Sequence, residues 1–365
     1  MYILVAFGGD RVDAERITKP LLAWYSTHFR PLPWRVDATP YHVWISEIML
    51  QQTRIEAVIP YYHRFIAALP DVHALAEIDT ESLLKLWEGL GYYSRARNLQ
   101  KAAQTMVQLY DGDLPPDYDK LRTLPGIGDY TAGAIASIAF SIPAPAVDGN
   151  VMRVLARLTG DNTDVLSTAG KKKFTDLTWQ LIPERQPGRF NQALMELGET
   201  VCLPAGTPKC HTCPLRHECV AFREGLTQHL PVRIKKTKRR VEQHAVAVVI
   251  ANSTPPSVLL HKRAETGLLA GMWEFPHTLS ESPLDALPDP VKTVCTNAEA
   301  LPVCKHLFSH IEWRMAGAQY RIQTPVTLPA DYVFASLEDL QSVYPLPGAF
   351  RRYTEIVSKL LVKEI

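Results

Sequence analysis

What the chain lacks narrows its class first. The 365-residue sequence has no run of eighteen or more apolar residues, so no membrane-spanning helix is expected. The opening "MYILVAFGG" is apolar but short. It has no basic leader region and no clear cleavage site, so it reads as a frayed N-terminus or a misplaced start rather than a secretory signal. No internal repeat and no low-complexity tract is present. A hydrophobic content of 46% suits sizeable cores rather than disorder. The length suits two or three domains.

Overall charge is also nearly absent, at +1, but it is unevenly spread. Residues 244–365 hold ten Lys/Arg and twelve Asp/Glu, which leaves the rest of the chain at +3. "RIKKTKRR" (233–240) packs six bases into eight positions. Such a run is either a solvated linker or a contact with a polyanion.

β-Branched alternation is scarce over residues 11–230, which read as mostly helical. "VWISEIMLQQTRIEAVIPYYHRFI" (43–66), "TESLLKLWEGL" (80–90) and "ARNLQKAAQTMVQLY" (96–110) carry apolar residues at helical spacing. Gly and Pro punctuate at "GLGYY", "GDLPPDY" and "TLPGIG". The pattern changes near 244. "HAVAVVIAN", "SVLLHKRA" and "IEWRMAGAQYRIQTP" are β-like, and "AFRRYTEIVSKLLVKE" (349–364) reads as a helix. An α/β or α+β module is therefore expected from about 244, after a basic linker over 228–243.

Disulfides are not indicated, since nothing points to secretion. Yet four of the six cysteines, Cys202, Cys210, Cys213 and Cys219, fall in C-x7-C-x2-C-x5-C. Four thiols this close can converge on zinc or on a [4Fe–4S] cluster, and spacing alone does not choose. Cys295 and Cys304 stand apart and read as ordinary buried thiols.

"LPGIGDYTAGAI" (124–135) places a Pro-Gly-x-Gly turn between two helical stretches. Glycines at 126 and 128 allow the tight turn. The next helix should start near Asp129–Tyr130, with its free N–H groups suited to an anion. This is the pattern of a helix–hairpin–helix, a phosphate clamp in which Gly126, Ile127 and Gly128 would touch DNA; a plain helical turn is the other reading. In "APAVDGNVMRVLAR" (144–157), Asp148 precedes a helix as an N-cap would, where the helix dipole should keep it ionised. Glu47 sits among Trp44, Ile45, Ile48, Met49 and Leu50. It either faces solvent or faces a cleft. In a cleft, desolvation would raise its pKa toward neutrality and make it a usable general acid.

Turn, "VDGNV" and cysteines together resemble the helix–hairpin–helix DNA glycosylases over about residues 15–220. Two branches of that superfamily carry the iron–sulfur cluster: endonuclease III, which also nicks the strand, and the MutY-type adenine glycosylases. At residue 130 endonuclease III has a lysine, whose amine forms a Schiff base with the sugar; here a tyrosine stands, so water must complete the reaction. "LPWR" (32–35) and "TPYHVWISEIMLQQTR" (39–54) are similar to the adenine-branch signature. The resemblance implies that Trp34, Arg35, Gln52 and Gln192 surround an extruded adenine, with Tyr92 wedged beside the opposite base. It implies Glu47 as general acid and Asp148 as stabiliser of the sugar cation, with Tyr130 and Asn150 positioning Asp148 and the sugar. It further implies a [4Fe–4S] cluster on the four cysteines, although the first interval here is seven residues where the family usually has six.

Residues 244–365 resemble the MutT-like domain that follows the catalytic region in this family. "LLAGMWEFP" (268–276) matches its early strands and loop. The R-E-x-x-E-E pattern that would hold magnesium is missing from "LSESPLDALPDPVK", so nucleotide hydrolysis is not expected. Phe308, Ser309 and His310 are similar to a loop that senses 8-oxoguanine.

The expected architecture is thus a mostly α-helical glycosylase region over 11–227, followed by an α/β Nudix-like domain over 244–365. The first would comprise a six-helix domain (about 34–140) and an iron–sulfur domain (11–33 with about 141–227). The expected activity is that of a monomeric, cytoplasmic, bacterial-type repair enzyme that works at the nucleoid. It would remove adenine opposite 8-oxoguanine or G from double-stranded DNA, without a membrane partner. The rival readings are an endonuclease III-like glycosylase–lyase, a catalytically silent lesion binder and a redox protein.

Overall fold

The structure is a computed structural model and describes residues 4–7, 10–234, 239–323 and 326–363. Along the chain, β1 (Leu4–Phe7) and β2 (Asp10–Asp13) form an antiparallel hairpin. Then come α1 (Glu15–His28), α2 (Pro33–Val36), α3 (Pro40–Leu50), α4 (Ile55–Ala68), α5 (Val72–Glu77), α6 (Thr80–Leu86) and α7 (Ser94–Tyr110). The helical series continues with α8 (Tyr118–Arg122), α9 (Asp129–Phe140), α10 (Gly149–Thr159), α11 (Thr168–Leu181), α12 (Pro187–Thr200) and α13 (Val220–Arg223). The remainder holds β3 (Arg240–Ala251), β4 (Ser257–Lys262), β5 (Trp273–Glu274), β6 (His277–Thr278), α14 (Asp289–Lys292), β7 (Thr296–Leu307), β8 (Ile311–Ile322), β9 (Tyr332–Ser336), α15 (Leu337–Ser342) and α16 (Arg351–Lys363). Among the described residues no helix is long and apolar enough to cross a membrane.

The chain divides into two compact units, residues 1–77 with 98–235 and residues 78–97 with 236–365. The first is helical apart from its terminal hairpin. Local chemistry starts its helices: Pro40 lies in the first turn of α3, whose cap Thr39 accepts from His42 N–H at 3.2 Å. Asp148 caps α10 by accepting from Val151 N–H at 2.8 Å. One core joins Ile17, Leu21 and Trp24 of α1 to Val154 and Leu158 of α10, Phe174 of α11, and Phe190 and Leu194 of α12.

The second unit is built on a mixed sheet of order β5-β4-β3-β8-β7, with β6 also paired to β3 and β9 to β4. β3 and β8 run parallel and β7 and β8 antiparallel. Alternate residues of β3 face opposite sides. Val246, Val248 and Ile250 pack with Tyr353, Val357 and Leu361 of α16, whereas Ala247 and Val249 pack with Val291 of α14. A sheet covered on both faces needs apolar residues on both, which is why β3 reads as a continuous hydrophobic run.

Four local expectations change. The 43–66 stretch is not one helix: Gln52 has φ 60°, and this left-handed residue breaks the ladder between α3 and α4. Within the opening stretch, Leu4–Phe7 pair as a strand with Asp10–Asp13 rather than fraying, while residues 1–3, 8 and 9 lie outside the described residues. The second module's first strand starts at Arg240, not 244, because its exposed start pairs in parallel with β8, Arg240 opposite Ile311; Lys235, Lys236 and Lys238 of the basic run lie outside the described residues. Cys295 and Cys304 are only partly buried.

Candidate active site

Glu47 projects from α3 and is 7% exposed, with Trp44, Ile45, Ile48 and Met49 buried around it. Burial pushes its carboxyl up to about 7, the nearby Asp148 adds to this, and the hydrogen bond from Tyr130 and the charge of Arg35 oppose it. That bond runs from Tyr130 Oη to Glu47 Oε2 at 2.6 Å. Burial also holds the phenol of Tyr130 well above its ordinary pKa, so it stays a donor. Tyr130 reaches this position because it lies in the first turn of α9.

At Asp148 the helix start does not bring the carboxyl pKa below its ordinary value. Burial raises its carboxyl pKa, against hydrogen bonds from Val151 N–H at 2.8 Å and Asn150 Nδ2 at 2.9 Å. Desolvation outweighs the cap, so the two bonds and the nearby Arg153 limit the rise without reversing it. Tyr130 donates to Glu47 rather than to Asp148; Asn150 is the side chain that holds Asp148. Sequence reasoning missed the group behind Asn150. Arg153 Nη2 donates to Asn150 Oδ1 at 2.8 Å, and its Nε donates to the carbonyl of Cys202 at 2.8 Å. One buried guanidinium thereby ties Asp148's partner to the start of the cysteine loop. Its only sequence signal is the i, i+3 spacing from Asn150 on α10.

Trp34, Arg35, Glu47, Gln52, Tyr130, Asp148, Asn150 and Gln192 all line one cavity. Arg35 is not free within it: its Nη1 donates to Glu196 Oε2 at 2.9 Å, and Glu196 also pairs with Arg30. Glu196, 1% exposed, is a second residue the sequence reading did not single out; it lies one helical turn after Gln192. Trp34 is buried edge-on to Tyr62, with ring centroids 5.2 Å apart.

The turn before α9 has the expected form. Gly126 has φ 77°, and a Cβ there would stand 2.7 Å from Asn98 Cβ. Gly128 caps α9 without a side chain, so the first N–H groups of that helix have no capping side chain. Ile127 does not share in this surface: its side chain is 4% exposed and its N–H is bonded to the Leu124 carbonyl at 3.1 Å. That removes it from the groups able to take a phosphate.

In the second unit, Tyr92, Phe308, Ser309 and His310 line a common cavity. Tyr92 is 46% exposed, has φ 49°, and its hydroxyl lies 3.5 Å from Ser309 Oγ. Phe308 is held edge-on to Trp313 at 4.9 Å, whereas Ser309 and His310 are exposed.

Cys202, Cys210, Cys213 and Cys219 line one further cavity with Leu158, Leu197 and Leu215. Burial and the neighbouring sulfurs push Cys213 up to about 12 and Cys219 up to about 11. Crowded buried thiols of this kind suit a cationic group that favours their thiolates. Among the described residues no three Cys, His, Asp or Glu are grouped closely enough to hold a single metal ion. Four cysteine thiols on one cavity are the donor set that a [4Fe–4S] cluster takes.

Residues 45–184 match the HhH-GPD superfamily of base excision DNA repair proteins, and residues 245–355 match the NUDIX domain. Among curated proteins, the chain is 38% identical to the adenine DNA glycosylase of Mus musculus over 74% of this chain and 62% of the mouse protein. It is 35% identical to that of Buchnera aphidicola subsp. Baizongia pistaciae over 80% and 82%. The chain spans less than two-thirds of the mouse relative's length. Among solved structures, a thermostable thymine-DNA glycosylase is 26% identical, covers 58% of this chain and 97% of its own, and superposes with a TM-score of 0.54.

Proposed function

The chain belongs to the adenine DNA glycosylases of the HhH-GPD superfamily, and from that membership we propose that it hydrolyses the N-glycosidic bond of adenine opposite 8-oxoguanine or G in double-stranded DNA. The observation that carries this reading is the pair of carboxyl groups on one cavity, buried Glu47 and half-buried Asp148, with a tyrosine rather than an amine at 130. A Schiff base cannot form at that position, so the reading is of a monofunctional enzyme.

The adenine has to leave the stack to reach the cavity, at a cost of roughly a few kcal/mol. Tyr92 and the Phe308–His310 loop offset this by filling and reading the duplex beside 8-oxoguanine. Trp34, Arg35, Gln52 and Gln192 enclose the base. Protonated Glu47 gives its proton to adenine N7. The C1′–N9 bond then breaks with its electron pair going to the base, and the sugar becomes oxocarbenium-like. Asp148 stabilises that cation in its ionised form, held by Asn150 and Val151. Water adds at C1′ and releases a proton, leaving an abasic site. Gly126 and Gly128 shape the turn whose uncapped helix start takes a DNA phosphate.

A [4Fe–4S] cluster bound by Cys202, Cys210, Cys213 and Cys219 would supply structural cross-linking of the 203–219 loop. The proposed domains are the catalytic region over 11–227, the basic linker over 228–243 and the recognition domain from 244. The protein is proposed to act as a monomer in the cytoplasm.

The test is single-turnover adenine release from duplexes carrying A opposite 8-oxoguanine or A opposite T, each split with and without hot alkali. Strand breaks only after alkali, and only with the mispair, support the proposal. Breaks without alkali mean a lyase, and tight binding with no product means a lesion sensor.

A further inference from the structure

A second cavity lies beside the one that holds Glu47, and Arg35 and Gln192 line both. Gln192 therefore forms part of the wall between them. Its Oε1 accepts a hydrogen bond from Tyr25 Oη at 3.0 Å. Tyr25 lines only the second cavity, comes from α1 and is 1% exposed. Burial raises its phenol pKa, so the hydroxyl keeps its proton and donates. Among the described residues, neither Tyr25 Oη nor Gln192 Nε2 has another hydrogen-bond partner.

We infer that Tyr25 is a positioning residue that sets base preference by fixing which end of the Gln192 carboxamide is the donor. The inference rests on the reading of Gln192 as a base-contacting side chain. A carboxamide can turn over with little change of shape, and the two orientations present opposite hydrogen-bonding faces. With Oε1 anchored on Tyr25, the second lone pair of that oxygen and the NH2 group remain for the substrate. This acceptor–donor pair matches the Watson–Crick edge of adenine, which offers an N6 hydrogen beside the N1 acceptor and leaves N7 to Glu47. A 6-oxopurine such as hypoxanthine offers an oxygen beside N1–H, which matches only the turned-over amide. Turning it over would exchange the Tyr25 O–H···Oε1 bond for a weaker-matched Nε2–H···Oη contact and leave the buried hydroxyl proton, now rotated away, without an acceptor, a loss on the order of one buried hydrogen bond. The phenol thus rejects the wrong purine without touching it.

The experiment compares single-turnover release of adenine and of hypoxanthine, each opposite 8-oxoguanine, by the full chain and by Tyr25→Phe, Gln192→Leu and the double variant. Tyr25→Phe keeps the ring and its packing. The adenine-over-hypoxanthine rate ratio is expected to fall about five- to tenfold in Tyr25→Phe, the order of one neutral hydrogen bond. Gln192→Leu alone should lower the ratio at least as far, and adding Tyr25→Phe to it should lower it no further. An unchanged ratio in either single variant, or a further equal fall in the double variant, overturns the inference. Wild-type protein that releases no adenine instead sinks the proposed function, and this inference falls with it; wild-type activity with an insensitive ratio sinks the inference alone.

Discussion

Tyr130 Oη donates a 2.6 Å hydrogen bond to Oε2 of Glu47, across the contact between α9 and α3. The bond favours the charged carboxylate and so works against burial, which sets the Glu47 pKa near 7. Removing the donor should therefore move that pKa upward. In Tyr130→Phe the limb of the pH–rate profile governed by the protonated acid is expected to extend to higher pH than in wild type. A limb that moves down would mean that the phenol stabilises the neutral acid instead.

Glu47→Gln keeps the volume and polarity of the side chain and removes its proton. Single-turnover adenine release should drop by about 10²–10⁴-fold, the usual range for one general acid. Binding to the mispair, followed by gel shift, should change little. Loss of binding in step with turnover would assign Glu47 to recognition.

The same variant carries a stability signature. The folded pKa of Glu47 lies above the unfolded value, about 7 against 4.5. Its contribution to stability is therefore fully present below the unfolded pKa and is lost as pH rises through the folded one. The loss is complete above about pH 7 and amounts to roughly 3 kcal/mol as an upper bound, at about 1.4 kcal/mol per pKa unit. Glu47→Gln should thus gain stability over wild type at pH 8 compared with pH 5, read by urea melts at both pH values.

Asp148→Asn separates capping from catalysis. Asparagine caps a helix as well as aspartate, so α10 should form and thermal unfolding should stay close to wild type. Loss of the negative charge at the developing sugar cation should lower single-turnover release by about 10²–10³-fold.

Gly126→Ala places a Cβ 2.7 Å from Asn98 Cβ at φ 77°. The left-handed backbone alone costs about 1–2 kcal/mol for a residue with a side chain. Lower thermal stability and weaker, still salt-sensitive binding to DNA of any sequence are expected. Wild-type stability would mean that the turn relaxes into another conformation.

Much of this site is legible in the sequence because its signals are local. Glu47 stands out as one acid in an apolar stretch, Asp148 as a cap before a helix, and the cysteines as a dense cluster. The groups that set their behaviour come from elsewhere in the chain. Tyr25 meets Gln192, and Arg35 meets Glu196, across more than 150 residues, and no spacing rule links such partners. Asp148 shows the limit of a local rule. The cap was readable, but the burial that outweighs its effect on the carboxyl depends on tertiary packing. Strand β3 was readable where both faces are buried and missed at 240–243, where exposure removes the hydrophobic pattern. Likewise Gln52 breaks a helix whose apolar spacing runs on unbroken.

The measurement closest to the central claim is the pH dependence of single-turnover adenine release by the wild-type protein on A opposite 8-oxoguanine. A buried Glu47 acting as the acid predicts a rate that falls by the loss of one proton as pH rises through about 7. A rate that stays level from pH 5 to pH 9 would contradict the assignment of Glu47 as the proton donor.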